Sequence, residues 1–218
     1  MATQWQYRRG PDELRPDTQP RKTVILLHGG KAVSSERSRP WHLSNVRMVW
    51  LQLALRRRLP RGVDVRRFRY RLRGWNAPRA DPVADALASL DALSAASAEP
   101  IRVVLVGHSM GGRVAAHLAA RPEVIGVVAL APWWPTGDAD LIGPDTGLVA
   151  LHGSADTWTD PQASRRQTAR AASRGVDARW IGLPKSGHFM VRRAATWHRI
   201  TAEAVVALLT PEKDYSGA

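Results

Sequence analysis

The chain has 218 residues, 44% of them hydrophobic, a formal net charge of +13 and no cysteine. Length and apolar content fit one globular domain with a sizeable core and exclude an intrinsically disordered chain. The absence of cysteine excludes disulfides, thiolate metal sites and a thiol nucleophile.

The charge raises the question of a nucleic-acid partner. All but four of the 32 basic residues are arginine, the lysines being Lys22, Lys31, Lys185 and Lys213, and they are spread along the chain. Abundant Arg and Ala together fit the codon bias of a G- and C-rich genome, so no specific nucleic-acid partner is expected. The opening stretch MATQWQYRRGPDEL has no apolar signal-like region. No apolar run approaches the roughly 18 residues of a membrane helix. A cytoplasmic protein without membrane attachment is expected; its oligomeric state is not legible.

In chain order, residues 1–22 read as an N-terminal segment with an edge strand over Thr3–Arg8, broken by Pro11, Pro16 and Pro20. Residues 23–218 read as a single domain. Thr23–Leu27 is a continuous apolar run, a strand buried on both faces, ending in His28-Gly29-Gly30. Asn45–Leu59 has helical spacing of Val46, Val49, Trp50, Leu53 and Leu55. Val63–Tyr70 is a basic strand. Asp81 is an N-cap with Pro82 at the first helical position, and Val83, Leu87, Leu90 and Leu93 give that helix its apolar stripe. Ile101–Val106 is a strand, Met110–Arg121 a helix, and Val124–Leu130 and Leu148–Leu151 are strands. Pro161–Arg174 is a helix capped by Asp160 and stopped by Gly175, Asp177–Gly182 the last strand, and Arg192–Leu209 the last helix.

Short apolar strands alternating with amphipathic helices predict a three-layer α/β/α sandwich around a mostly parallel sheet. Ligands bind such sheets at the carboxyl ends of the strands. The loops after Leu27, Tyr70, Val106, Leu130, Leu151 and Leu183 should therefore share one face.

Three of those loops carry complementary chemistry. Gly107-His108-Ser109-Met110-Gly111 fits G-x-S-x-G, a sharp strand-to-helix turn that exposes a serine oxygen beside helix N–H groups. His188, in Lys185-Ser186-Gly187-His188-Phe189, follows the last strand and is the base such a serine requires. Asp156, in His152-Gly153-Ser154-Ala155-Asp156, follows the preceding strand and is the acid that fixes the histidine tautomer. Asp160 is a rival acid, better suited to capping a helix; Asp138, Asp140 and Asp145 are weaker rivals. His28, His108 and His152 read as loop-ordering residues. His42, His117 and His198 read as surface or packing residues. No His/Asp cluster has metal-site spacing, so neither metal nor cofactor is expected.

"LLHGG", "GHSMGG", "HGSAD" and "SGHF" stand in the order and at the strand ends seen in α/β-hydrolases, and the chain resembles a small, cap-less, carboxylesterase- or lipase-like member of that fold from about Lys22 to Leu209. The resemblance implies that Ser109 is the nucleophile, Asp156 the triad acid and His188 the base. It also implies that the Gly30 and Met110 backbone N–H groups form an oxyanion hole. The family's first antiparallel strands are reduced or missing here. Only Ala131–Gly147 occupies the place where relatives insert a cap, so an open or shallow site is expected.

For the pocket wall, Trp133 and Trp134 follow a strand on the active face, and Trp158 stands two residues past Asp156. Arg71 and Arg73, in a stretch of alternating arginines, are candidates for holding an anionic substrate group. The expected reaction is hydrolysis of a small-molecule carboxylic ester or thioester through an acyl-enzyme. Acyl transfer by the same triad, or a non-catalytic basic module that binds nucleic acid, are the alternatives.

Overall fold

A computed structural model describes residues 20–135 and 137–210. The expected edge strand over Thr3–Arg8 lies outside them. Among the described residues six strands and five helices alternate: β1 (Arg21–Leu27), α1 (Leu43–Arg58), β2 (Asp64–Phe68), α2 (Asp81–Ala95), β3 (Ile101–His108), α3 (Met110–Leu118), β4 (Val124–Leu130), β5 (Gly147–Gly153), α4 (Pro161–Ser173), β6 (Ala178–Leu183) and α5 (Ala194–Leu209). A short 3₁₀ helix, Asp138–Leu141, lies between β4 and β5. The strands run in the order β2-β1-β3-β4-β5-β6, and every neighbouring pair is parallel.

The sheet is doubly wound. From β1 the chain moves outward to β2, crosses back to β3, and then proceeds strand by strand to β6. The direction reverses between β1 and β3, and such a switch point opens a crevice at the strands' carboxyl ends. The "HGG" loop and the G-x-S-x-G turn leave the sheet at that crevice.

Both sheet faces are buried, which is why the strand cores are uninterrupted Val, Ile and Leu. On one face Leu27, Val103, Leu105 and Val127 pack with Leu90 of α2, Val114 and Leu118 of α3 and Ala171 of α4. On the other Val24, Leu26, Val104 and Val128 pack with Met48, Leu51 and Leu55 of α1 and with Trp197 and Val205 of α5.

The first two helices depart locally from the expected pattern. Asp81 is not the N-cap of α2. Ala80 holds that position in a left-handed conformation (φ 49°), Pro82 is the second helical residue, and the Asp81 carboxylate accepts instead from Asn76 Nδ2 at 2.7 Å and Arg79 at 3.2 Å. Asp160 does cap α4, accepting from the Gln162 N–H at 2.7 Å. The inner face of α1 is also not the expected stripe. Met48, Leu51, Gln52 and Leu55 are buried, while Trp50 and Leu53 are 64% and 42% exposed. This helix has apolar residues on two sides, and only one side meets the sheet.

Between β4 and β5 the described residues contain the 3₁₀ turn and no cap domain. Among the described residues, no helix is long and apolar enough to cross a membrane.

Candidate active site

The turn after β3 begins at Ser109, with φ 56° and ψ −118°, a conformation that L-residues rarely adopt. Neighbouring groups hold it there. The Ser109 N–H donates to Leu130 O at 2.9 Å, and the Ser109 carbonyl accepts from Gly112 N–H at 3.0 Å and Trp133 N–H at 3.1 Å. The flanking glycines are sterically required. A Cβ on Gly107 would collide with the Gly111 backbone, and one on Gly111 with the Leu27 carbonyl.

His188 is brought to this serine by the loop after β6, which takes positive φ at Lys185, Met190 and Arg193. His188 Nε2 lies 3.0 Å from Ser109 Oγ, and His188 Nδ1 lies 2.8 Å from Asp156 Oδ2. In the tautomer these contacts select, Nδ1–H donates to the carboxylate and Nε2 accepts from the serine hydroxyl. Gly153 permits the approach of the two loops, because a side chain there would run into the Ser186 carbonyl. The Ala155 N–H then donates to that carbonyl at 2.9 Å.

Asp156 is 9% exposed and densely hydrogen-bonded. Its Oδ1 accepts from the N–H groups of Trp158 (2.8 Å) and Thr159 (3.0 Å). Its Oδ2 also faces Thr159 Oγ1 at 2.9 Å and His152 Nε2 at 3.0 Å. Burial opposes ionisation, but the hydrogen bonds from His152, His188, Thr159 and Trp158 outweigh it and hold the carboxyl far below the usual carboxylate range. The rival Asp160 is engaged at the α4 cap and with Arg166 at 3.4 Å.

Gly30 is packed so that a Cβ would strike the Met110 side chain and the Arg73 carbonyl. The "HGG" loop is held by His28. Its Nδ1–H donates to the Gly29 carbonyl at 2.7 Å, and its Nε2 faces Ser38 Oγ at 3.3 Å and the Tyr70 N–H at 3.4 Å. Burial pushes His28 down to about 4. His108 donates from Nε2 to the His188 carbonyl at 2.8 Å, tying the turn to the histidine loop, and burial holds it well below the ordinary imidazole value. Both imidazoles order loops, as expected. His152 contacts the candidate acid itself.

Above these groups lies a cleft of about 1190 Å³. The site is open but not shallow, because its walls come from other elements than a cap. Trp41, Leu43 and Trp50, in or just before α1, and Trp158, Phe189 and Val191, in the loops that carry Asp156 and His188, form these walls, all substantially exposed.

The expected wall residues divide. Trp133 and Trp158 line the cleft, as does Arg73. Trp134 does not. It is 4% exposed, its indole N–H donates to Gly112 O at 3.1 Å, and its carbonyl accepts from Gln167 at 2.8 Å. Arg71 also lies outside the cleft, bound to Asp85 through Nε at 2.5 Å. Trp133 is steadied by Arg113, whose guanidinium lies 4.9 Å from its ring and pairs with the buried Asp138 at 2.6 Å.

Sequence reasoning missed His152 as a partner of Asp156, Thr159 as a shared hydroxyl, and Trp41, Leu43, Arg47, Trp50 and Phe189 as wall. The "HGSAD" motif held a signal for His152, four residues before the acid; the wall residues belong to no motif.

A doubly wound parallel sheet bearing serine, histidine and aspartate at its carboxyl edge defines the α/β-hydrolase class of fold. The chain belongs to the alpha/beta hydrolase family, whose sequence profile matches residues 24–215. None of the curated proteins matches it by sequence. Among solved structures, the chain is similar to a putative α/β hydrolase of unknown function from Agrobacterium tumefaciens, with 18% identity over 91% of this chain and 90% of that one and a TM-score of 0.69. It is similar to Est1E from Butyrivibrio proteoclasticus with ferulic acid bound, with 16% identity, 89% and 93% coverage and a TM-score of 0.65. It is also similar to an α/β serine hydrolase without a lid from Xanthomonas campestris, with 21% identity, 91% and 87% coverage and a TM-score of 0.63.

Proposed function

We propose that the protein is a serine hydrolase that cleaves a carboxylic ester or thioester through an acyl-enzyme. The observation that carries this reading is the Ser109–His188–Asp156 relay, 3.0 and 2.8 Å, at a turn strained to φ 56°. Esterases among the similar structures support it.

In this mechanism Ser109 Oγ attacks the substrate carbonyl carbon as its proton passes to His188 Nε2. Asp156 stabilises the imidazolium, and its densely hydrogen-bonded carboxylate stays ionised throughout. The Gly30 and Met110 N–H groups hold the oxyanion. The bond to the leaving oxygen or sulfur breaks as His188 returns the proton to it. Water then attacks the acyl carbon, giving its proton to His188. The Ser109 ester bond breaks, and the proton returns to Ser109.

The test is reaction with a fluorophosphonate probe, read by intact mass, beside Ser109→Ala. One adduct on the wild type and none on the variant is expected. A folded wild type that takes no adduct overturns the reading.

A further inference from the structure

The cleft is chemically one-sided. Among the described residues no Asp or Glu lines it, whereas Lys31, Arg47 and Arg73 do. Two of these cations share a partner already. Glu36 accepts from Arg73 Nη1 at 2.6 Å and lies 3.9 Å from Lys31 Nζ. Arg47 differs. Among the described residues it has no carboxylate within ion-pair distance, and its guanidinium carbon sits 5.3 Å from the centroid of the Phe189 ring. It is partly withdrawn from water, and that burial lowers its pKa from the ordinary arginine value. The Phe189 ring is in turn 5.4 Å from the His188 ring, so the same aromatic ring neighbours both this cation and the candidate base.

We propose that Arg47 binds an anionic oxygen group such as a carboxylate on the substrate, so that the preferred ester carries a negative charge a short chain away from its scissile carbonyl. The proposal rests on the ester-cleaving reading of the same site. A partly desolvated cation without a counter-ion is unfavourable, and an arriving carboxylate relieves it with two parallel hydrogen bonds from the guanidinium fork. A neutral, wholly apolar ester would offer that cation no partner. The overall charge of +13 draws anions toward the protein. The simpler role for Arg47, a clamp on Phe189 through the ring face, makes no distinction between charged and neutral substrates.

The experiment compares 4-nitrophenyl hexanoate with the 4-nitrophenyl monoester of hexanedioic acid, which has the same chain with a terminal carboxylate. A third ester carries the carboxylate on the nitrophenyl ring, so the arms separate an acyl-side from a leaving-group anion. In Arg47→Gln the ratio of kcat/KM for an anionic ester over the neutral one should fall about 10- to 100-fold, the range of a hydrogen bond to a charged group. Arg47→Lys should keep part of the preference, and Arg47→Glu should reverse it. An unchanged ratio, with all esters slowed alike, overturns the proposal and leaves Arg47 as a clamp. A second readout needs no turnover. Ser109→Ala protein should bind the monomethyl ester of hexanedioic acid by calorimetry, and adding Arg47→Gln should weaken that binding by a similar factor. No binding, or equal binding by both proteins, overturns it. Fluorophosphonate labelling fails or succeeds independently of this calorimetry, so loss of the hydrolase reading and loss of the anion site are distinguishable.

Discussion

The floor of the cleft and its walls are built on opposite principles. On the floor, Ser109, Asp156 and His188 are held by backbone geometry and buried hydrogen bonds, with glycines at positions where any Cβ would collide. On the walls, Trp50 is 64% exposed and Trp158 is 71% exposed, and no motif includes either. In the proposed hydrolase, a reaction that tolerates little geometric error falls to the over-determined part of the molecule, and choice of substrate to side chains that can change without disturbing the fold.

The largest effect is expected from damaging the floor without moving it. Asp156→Asn keeps the shape of the acid but removes the charge that selects the His188 tautomer. A loss of about 10⁴-fold in kcat is expected, with the fold retained by circular dichroism. A loss below tenfold would show that the relay is not over-determined at its acid. His152 sharpens the same point. It donates to the Oδ2 atom that His188 uses, at 3.0 Å, and Ser164 Oγ stands 2.8 Å from its other ring nitrogen. Replacing it with Gln should lower kcat about 10- to 100-fold, by the usual strength of a hydrogen bond to a charged group, while KM stays within twofold. An equal change in KM would make His152 part of the wall.

Acid should reveal the buried imidazoles by stability. His28 titrates at about 4 in the folded protein and near the ordinary 6.5 when unfolded, because burial disfavours its charged form. Above pH 6.5 it is neutral in both states and contributes nothing to the pH dependence. As the pH falls from 6.5 to 4, the unfolded chain binds a proton that the folded protein refuses, so stability is lost by about 3 kcal/mol. His108 is shifted in the same direction and deepens the loss. Asp156, held low, adds to it only once the unfolded carboxyl begins to protonate, near pH 4. Urea unfolding at pH 7.5, 6 and 5 checks this, and a flat profile would remove the buried imidazoles from the account. His198, which lines the cleft, is lowered by burial in the same direction, so the wall adds to this loss.

Legibility in the sequence follows the same division. The alternation of elements was readable because strands buried on both faces are continuous apolar runs, and Val124–Leu130 is bounded as expected. The candidate triad was readable because strand ends carry short glycine-rich motifs. Helix faces were less so. Trp50 and Leu53 fall on the expected stripe of α1, but Met48 and Leu51 face the sheet. Periodicity reports an apolar face without saying whether sheet or cleft covers it. Asp81-Pro82 had the composition of a cap, yet the carboxylate found Asn76, 5 residues earlier, through a turn that the local pattern did not announce. Arg71 and Arg73 alternate in sequence, so they leave the chain on related sides. Only one reaches the cleft, because Asp85 captures the other.

Adjacent Trp133 and Trp134 give the finest test, because one belongs to each region. Trp133 lines the cleft, while Trp134 is core, with its indole N–H on Gly112 O at 3.1 Å. A fully buried methylene contributes about 0.8 kcal/mol, and an open cleft should recover roughly half of that. On a series of neutral aryl esters, kcat/KM should therefore rise about twofold per added methylene while the chain still meets the wall. Trp133→Ala should flatten that slope, and so should Trp50→Ala, with little change in stability for the exposed Trp50. Trp134→Phe should leave the slope intact and lower stability by about 1 kcal/mol, the value of one buried hydrogen bond. If the slope instead responds to Trp134 and ignores Trp133 and Trp50, the acyl chain runs inward beneath the turn rather than along the open walls, and the division between floor and walls fails where it matters for specificity.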